Sequence, residues 1–161
     1  MAVDMFIKID GINGEATDKV MAGQIDVLAW SWGMSQSGTT HMGGGGGAGK
    51  ASFQDLSFTK YIDSSTNALM TALAKGKHVL KAELLVRKAG DGQQDYISIA
   101  MEEVIVTSIS TGGSGGEDRL TENVTLNFGK VNFGYKPQTA KGDVTAYMPF
   151  VWNISKNTAE A

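Results

Sequence analysis

The sequence predicts a mainly β fold: a small closed β-barrel of two curved antiparallel sheets, with one short α-helix packed outside and a long glycine-rich loop. Three observations predict it. Apolar residues recur at period two in many short runs punctuated by glycine-rich turns. Only one stretch switches to helical spacing. In two places the alternation slips phase by one residue, which marks a bulge and with it strong curvature.

The elements follow in order. Val3, Met5, Ile7 and Ile9 alternate as a first strand, broken by the glycines at 11 and 14. Residues 23–37 read as a long second strand in which Leu28, Trp30, Trp32 and Met34 alternate with Ala29, Ser31, Gly33 and Ser35. The bulky face is expected to build the core. The small face leaves room for a partner chain, a ligand or a water-filled space. Residues 38–50 form a loop without apolar pattern, where function is expected. A third strand spans 52–62.

Ala68, Leu69, Ala72 and Leu73 then repeat at helical spacing, with Asp63 or Ser64 as N-cap and Gly76 at the C′ position between Lys75 and Lys77. From His78 the pattern returns to strand, with Leu80, Ala82, Leu84 and Val86 on one face and Lys81, Glu83 and Arg87 on the other. The turn at 89–92 reads as a hairpin. Ile97, Ile99 and Met101 are out of phase with Val104 and Val106, which places a bulge near Glu102 and Glu103. After the glycine-rich loop TGGSGGED, Val124, Leu126 and Phe128 are out of phase with Val131, Phe133 and Tyr135, which places another at Gly129 and Lys130. Residues 147–154 read as an edge strand, and 155–161 as a loose tail.

The 161 residues read as one domain (1–161, with 38–51 as the extended loop), and 42% hydrophobic with 19% charged residues describes a globular chain rather than a disordered one. A formal net charge of −3 gives no field for nucleic acid, and no apolar run approaches the roughly 20 residues of a membrane span. Cysteine is absent, so disulfide and thiolate chemistry are excluded. The opening MAVDMFIKID has neither a basic start nor an apolar stretch; the reading is cytoplasmic synthesis and, if the protein leaves, a route that needs no signal peptide.

Catalytic motifs fail on their context. Residues 44–50 match the start of a phosphate loop, but Ala51 stands where a magnesium-binding hydroxyl is needed, and a strand rather than a helix follows. Gly112, Ser114 and Gly116 match a nucleophile elbow, but no histidine follows Ser114. His41 and His78 have no metal-ligand spacing, and Asp4, Asp10, Asp26, Glu102 and Glu103 form no acid–base pattern. No enzyme activity, cofactor or metal is expected.

Several segments carry a resemblance: SWGMSQSG (31–38), HMGGGGGAGK (41–50), DLSFTKYID (55–63), STGGSGGEDRLTENVTLNF (110–128) and the opening MAVDMFIKI. Over residues 1–136, and more loosely to the end, the chain resembles the haemolysin-coregulated protein family, the tube proteins of bacterial type VI secretion. The resemblance implies a β-barrel with an outer helix that closes into homohexameric rings. The rings stack into a hollow tube, related to phage tail tubes, that is driven into target cells with its spike. It also implies sheath, spike and baseplate proteins as partners, and effector proteins held in the lumen. Stable membrane insertion and nucleic-acid binding are not expected.

On this basis Ala29, Ser31, Gly33 and Ser35 are expected to face the lumen and contact effectors. Ring stacking is assigned to His41, Met42, Gly43, Gly44, Gly45, Gly46, Gly47, Lys50, Gly90, Asp91 and Gly92. Two other readings stay open: a tail-tube subunit of a different injection machine, and an exported β-barrel effector.

Overall fold

The computed structural model describes residues 3–38, 47, 49–88, 94–137 and 147–159. Its strands are β1 (Val3–Ile9), β2 (Ile25–Ser31), β3 (Met34–Ser35), β4 (Ser52–Phe53), β5 (Leu56–Tyr61), β6 (His78–Lys88), β7 (Gln94–Thr111), β8 (Thr121–Tyr135) and β9 (Met148–Asn153), with one helix, α1 (Ser65–Lys75), among the described residues. The main sheet has the order β5-β2-β1-β6-β7-β8-β9, and β5 also pairs with β8. Six antiparallel strands therefore close into a barrel, and β9 branches off as an extra strand. The long β8 makes this possible: Thr121 to Leu126 pair with β5, and Lys130 to Tyr135 pair with β9.

The barrel closes around Ile7, Ile25, Leu56, Phe58, Leu84, Ile99, Met101, Val124 and Leu126, all buried. Helix α1 lays Leu69 and Ala72 on this core. Its start is held by Asp63, whose Oδ1 accepts the Ser65 N–H at 2.9 Å, while the Ser64 side chain makes no cap bond. Its end is Gly76 at φ 60°, a left-handed position that glycine adopts without steric cost, with its N–H on the Leu73 carbonyl.

The second strand differs from its sequence reading. An extra residue, Leu28, interrupts the β2–β5 register between Val27 and Ala29. Ile25 and Val27 point inward before it, and Trp30 and Trp32 pack against the core after it; Leu28 and Met34 are exposed at 39% and 46%. A bulge resets the inward phase, so the four bulky residues do not share one face. The strand also breaks after Ser31, and Met34 and Ser35 pair instead with Phe53 and Ser52 in a separate two-stranded sheet. The expected third strand is divided accordingly into β4 and β5.

The expected phase slips occur, but not as unpaired extra residues. Met101 and Val104 are both buried, as are Phe128 and Val131, and on β6 Val79 and Ala82. The register of β6 with β7 and of β7 with β8 runs unshifted through this level. Leu80, Glu103 and Gly129 thus lie at one kink shared by three strands, where Glu103 takes φ 56°. Leu80 turns outward, 79% exposed, correcting its expected place on the inner face. A Cβ on Gly129 would collide with the Glu103 carboxylate, and the Gly129 carbonyl accepts the N–H of Ile154 at 2.8 Å. The register shifts of β7 lie elsewhere, at Val86/Arg87 against β6 and at Val106/Ser108 against β8. Beyond β9 the chain turns back, with Asn153 and Thr158 exchanging backbone hydrogen bonds.

Candidate functional site

Four strands in the order β2-β5-β8-β7 form the wall that matters. Residues directly opposite across antiparallel strands point to the same face. One inward row runs Trp30–Phe58–Val124–Ile109, apolar throughout. The outward rows on either side run Ala29–Thr59–Asn123–Ser110 and Ser31–Ser57–Thr125–Ser108. The outward face is therefore small, uncharged and rich in hydroxyls. Its polar groups bind one another: Thr59 Oγ1 donates to Asn123 Oδ1 at 2.6 Å, and Ser57 and Thr125 hydroxyls lie 3.4 Å apart.

Both lateral edges of this wall are open among the described residues. β1 pairs with β2 only at Ile25 and Asp26, so residues 27–31 pair with β5 alone. β6 pairing reaches β7 only up to Ile105, so residues 106–111 pair with β8 alone. Neither segment carries proline or a charged side chain, the usual devices that blunt an edge.

Charge sits at the two ends of the face. At one end Asp55 accepts Asn127 Nδ2 at 2.8 Å and Thr107 Oγ1 at 3.1 Å. At the other, the Arg119 guanidinium lies 3.7 Å over the Tyr61 ring, and burial raises the Asp26 carboxyl above its ordinary range despite the opposing pull of Arg119. Behind the wall Lys60 and Glu122 are fully buried as an ion pair, with Thr66 Oγ1 donating to the same Glu122 oxygen at 2.7 Å.

Of the residues assigned from sequence to the lumen, Ala29 and Ser31 lie on this face and are exposed. Gly33 and Ser35 do not join it. Gly33 is half-buried beyond the end of β2 with its carbonyl on the Gln54 N–H, and Ser35 belongs to the two-stranded sheet. Of the stacking residues, Gly47 and Lys50 are exposed. His41, Met42, Gly43, Gly44, Gly45, Gly46, Gly90, Asp91 and Gly92 lie outside the described residues. The two ends of the long loop meet where Gly49 packs on Ser37, closely enough that a Cβ would collide.

The sequence reading passed over Ser57, Thr59, Ser108, Ser110, Asn123 and Thr125. Their signal was available: three separate segments place Ser, Thr or Asn at alternate positions. His78 is exposed, and no group of three or more His, Asp or Glu side chains converges among the described residues.

A closed antiparallel barrel with an outer helix defines a small β-barrel protein whose distinctive feature is an uncharged, hydroxylated wall. The chain belongs to the family described as "Type VI secretion system effector, Hcp", whose pattern matches residues 6–135. It is 62% identical over 159 residues to protein hcp1 of Pseudomonas aeruginosa, covering 98% of both chains. Among solved structures it is similar to a type six secretion system protein, with a TM-score of 0.91 at 29% identity over 98% of this chain and 99% of that one. It is also similar to Hcp1 from Salmonella typhimurium, with a TM-score of 0.77 at 31% identity over 98% of this chain and 99% of that one. The family and the barrel fold expected from the sequence both hold.

Proposed function

We propose that the chain is the structural subunit of the type VI inner tube. Six copies close into a ring, rings stack into a hollow tube, and the tube is expelled with effector proteins held in its lumen. The observation that carries this reading is the wall with two open edges and a hydroxylated outward face. An unprotected strand edge is a template for another strand. Here two such edges lie on opposite sides of one four-stranded sheet, as a heterologous contact that closes into a ring requires. The even strand count matters: β2 and β7 run oppositely, so β7 of one copy meets β2 of the next antiparallel. The repeated face becomes one continuous surface.

Placed inward, that surface presents Ala29 and Ser31 beside five neighbouring hydroxyls, small and without charge, so cargo can pass without sticking. A single exposed hydrogen bond is worth only about 0.5–1.5 kcal/mol. Retention of effectors comes from the same contacts repeated around the ring. The role is mechanical, without catalysis or cofactor. The protein is made in the cytoplasm, exported by the machine without a signal peptide, and contacts sheath, spike and baseplate proteins. It joins neither nucleic acid nor membrane stably. The loop 38–50 and the turn 89–92 serve ring-to-ring contact, and Gly33 and Ser35 contribute to the cargo surface from the channel margin.

Ser31→Gln tests the face. It is expected to leave rings intact by mass photometry and to lower effector recovered with them; unchanged recovery would place Ser31 elsewhere. Deleting residues 43–47 is expected to keep rings while reducing tube length and secretion; normal secretion would remove the loop from the stacking contact.

A further inference from the structure

We propose that Asp55 sets the charge preference of the channel, its carboxylate repeated in every subunit as a negative belt that holds cationic stretches of carried protein. The inference rests on the lumen reading above and adds the chemistry of what the lumen retains.

Asp55 continues the outward positions of β5, two residues before Ser57. The two outward rows beyond it contain no charge, so Asp55 is the carboxylate at its own end of the face, with Arg119 and Asp26 at the far end. Its position is fixed from two strands. Asn127 on β8 donates to Oδ1, and Thr107 on β7 donates to Oδ2. Thr107 is the extra residue at the β7 register shift against β8, and its hydroxyl also lies 3.2 Å from the Thr125 carbonyl. The bulge thus aims a hydroxyl at the carboxylate, as bulges re-aim side chains elsewhere. Lys50 lines the same cleft of about 370 Å³, yet Asp55 forms no ion pair among the described residues.

A lone half-exposed carboxylate attracts a cation weakly in water. One carboxylate per subunit at a single level of a channel acts differently. Walls of low dielectric focus the field, and a cargo segment with several cations meets several carboxylates at once. The Debye length of about 8 Å at physiological ionic strength makes this contribution fade with added salt. The hydroxyl contacts, being uncharged, have no such dependence.

The test uses purified rings of the full chain and three fluorescent peptides of equal length: oligo-lysine, oligo-glutamate and a glycine–serine repeat. Wild-type rings are expected to bind oligo-lysine at least about tenfold more tightly than the neutral peptide in low salt, with the preference lost at about 0.5 M salt. Asp55→Asn keeps the side-chain shape and is expected to abolish the preference without changing the neutral peptide. A wild-type ring with no preference for oligo-lysine, or an Asp55→Asn ring that keeps it, overturns the proposal. Ser31→Gln, measured in parallel, separates the two readings. It is expected to weaken all three peptides alike; if it weakens none, the lumen assignment itself falls.

Discussion

Lys60 and Glu122 face each other across β5 and β8, with Nζ 2.7 Å from Oε1 and neither side chain exposed. The ammonium also reaches Asp63 Oδ1 at 3.1 Å and the Tyr61 carbonyl at 2.8 Å, so one cation ties the end of β5, the start of β8 and the approach to α1 together. Removing Lys60 leaves Glu122 buried without its cation, whereas replacing both removes the buried pair and leaves Asp63 held by the Ser65 N–H and hydroxyl. Lys60→Met alone is expected to cost about 3–5 kcal/mol, and Lys60→Met with Glu122→Leu to return within about 1 kcal/mol of wild type. Urea unfolding of the subunit checks this; equal losses in the single and the double variant would mean that the pair is not what holds this corner.

Two aspartates should bend the pH profile of stability in opposite directions. Two backbone N–H groups, those of Met21 and Val20, together with Arg87, hold the Asp18 carboxyl below its ordinary 3.8 despite some desolvation. Its contribution is therefore present above that value and is lost as pH falls through the lowered one. Asp26 is raised above 3.8 by burial first of all, so its ionised form opposes folding at neutral pH. Asp18→Asn is expected to lower the melting temperature at pH 7, and Asp26→Asn to raise it. Both differences should shrink toward pH 3. Melts at the two pH values decide it, and a destabilised Asp26→Asn at pH 7 would contradict the assignment.

Adjacent residues of β2 should separate folding from function. Trp30 lies in the inward row with Phe58 and Val124, and Ser31 on the exposed face. Trp30→Ala is expected to destabilise by about 2–4 kcal/mol, less than for a fully buried ring because Trp30 is only partly covered. Ser31→Gln is expected to stay within about 0.5 kcal/mol. Chemical denaturation of both variants measures the difference; similar losses would mean the face is packed rather than open.

How much of this was legible in the sequence depends on the residue. Ala29 and Ser31 could be placed on an open face because small and bulky residues alternate around Trp30 and Trp32. Leu28 could not be placed, because a bulge depends on the partner strand, and β5 lies across a long loop. The slips at Glu103 and Gly129 were visible as broken alternation. Their cause, one kink running through three neighbouring strands, needs the strand order, which no single segment encodes. For the same reason Thr59 and Asn123 were passed over: 64 positions apart in the chain, they become hydrogen-bonded neighbours only once β5 closes on β8. The helix was the easiest element, since Leu69, Ala72 and Gly76 carry local signals that depend on no distant partner.

The joining of β2 and β7 edges can be measured by disulfide trapping, because the chain contains no cysteine of its own. Ala29 and Ser110 lie at one level but three strand spacings apart within a subunit, about 14 Å, too far to bridge internally. Variants pairing Ala29→Cys with Ser110→Cys, and Ala29→Cys with Ser108→Cys, sample two registers between neighbouring copies. After mild oxidation, non-reducing gels are expected to show a ladder that ends at six copies for at least one pair. Monomer alone from both pairs, under conditions where rings are present by mass photometry, would contradict the edge-to-edge wall.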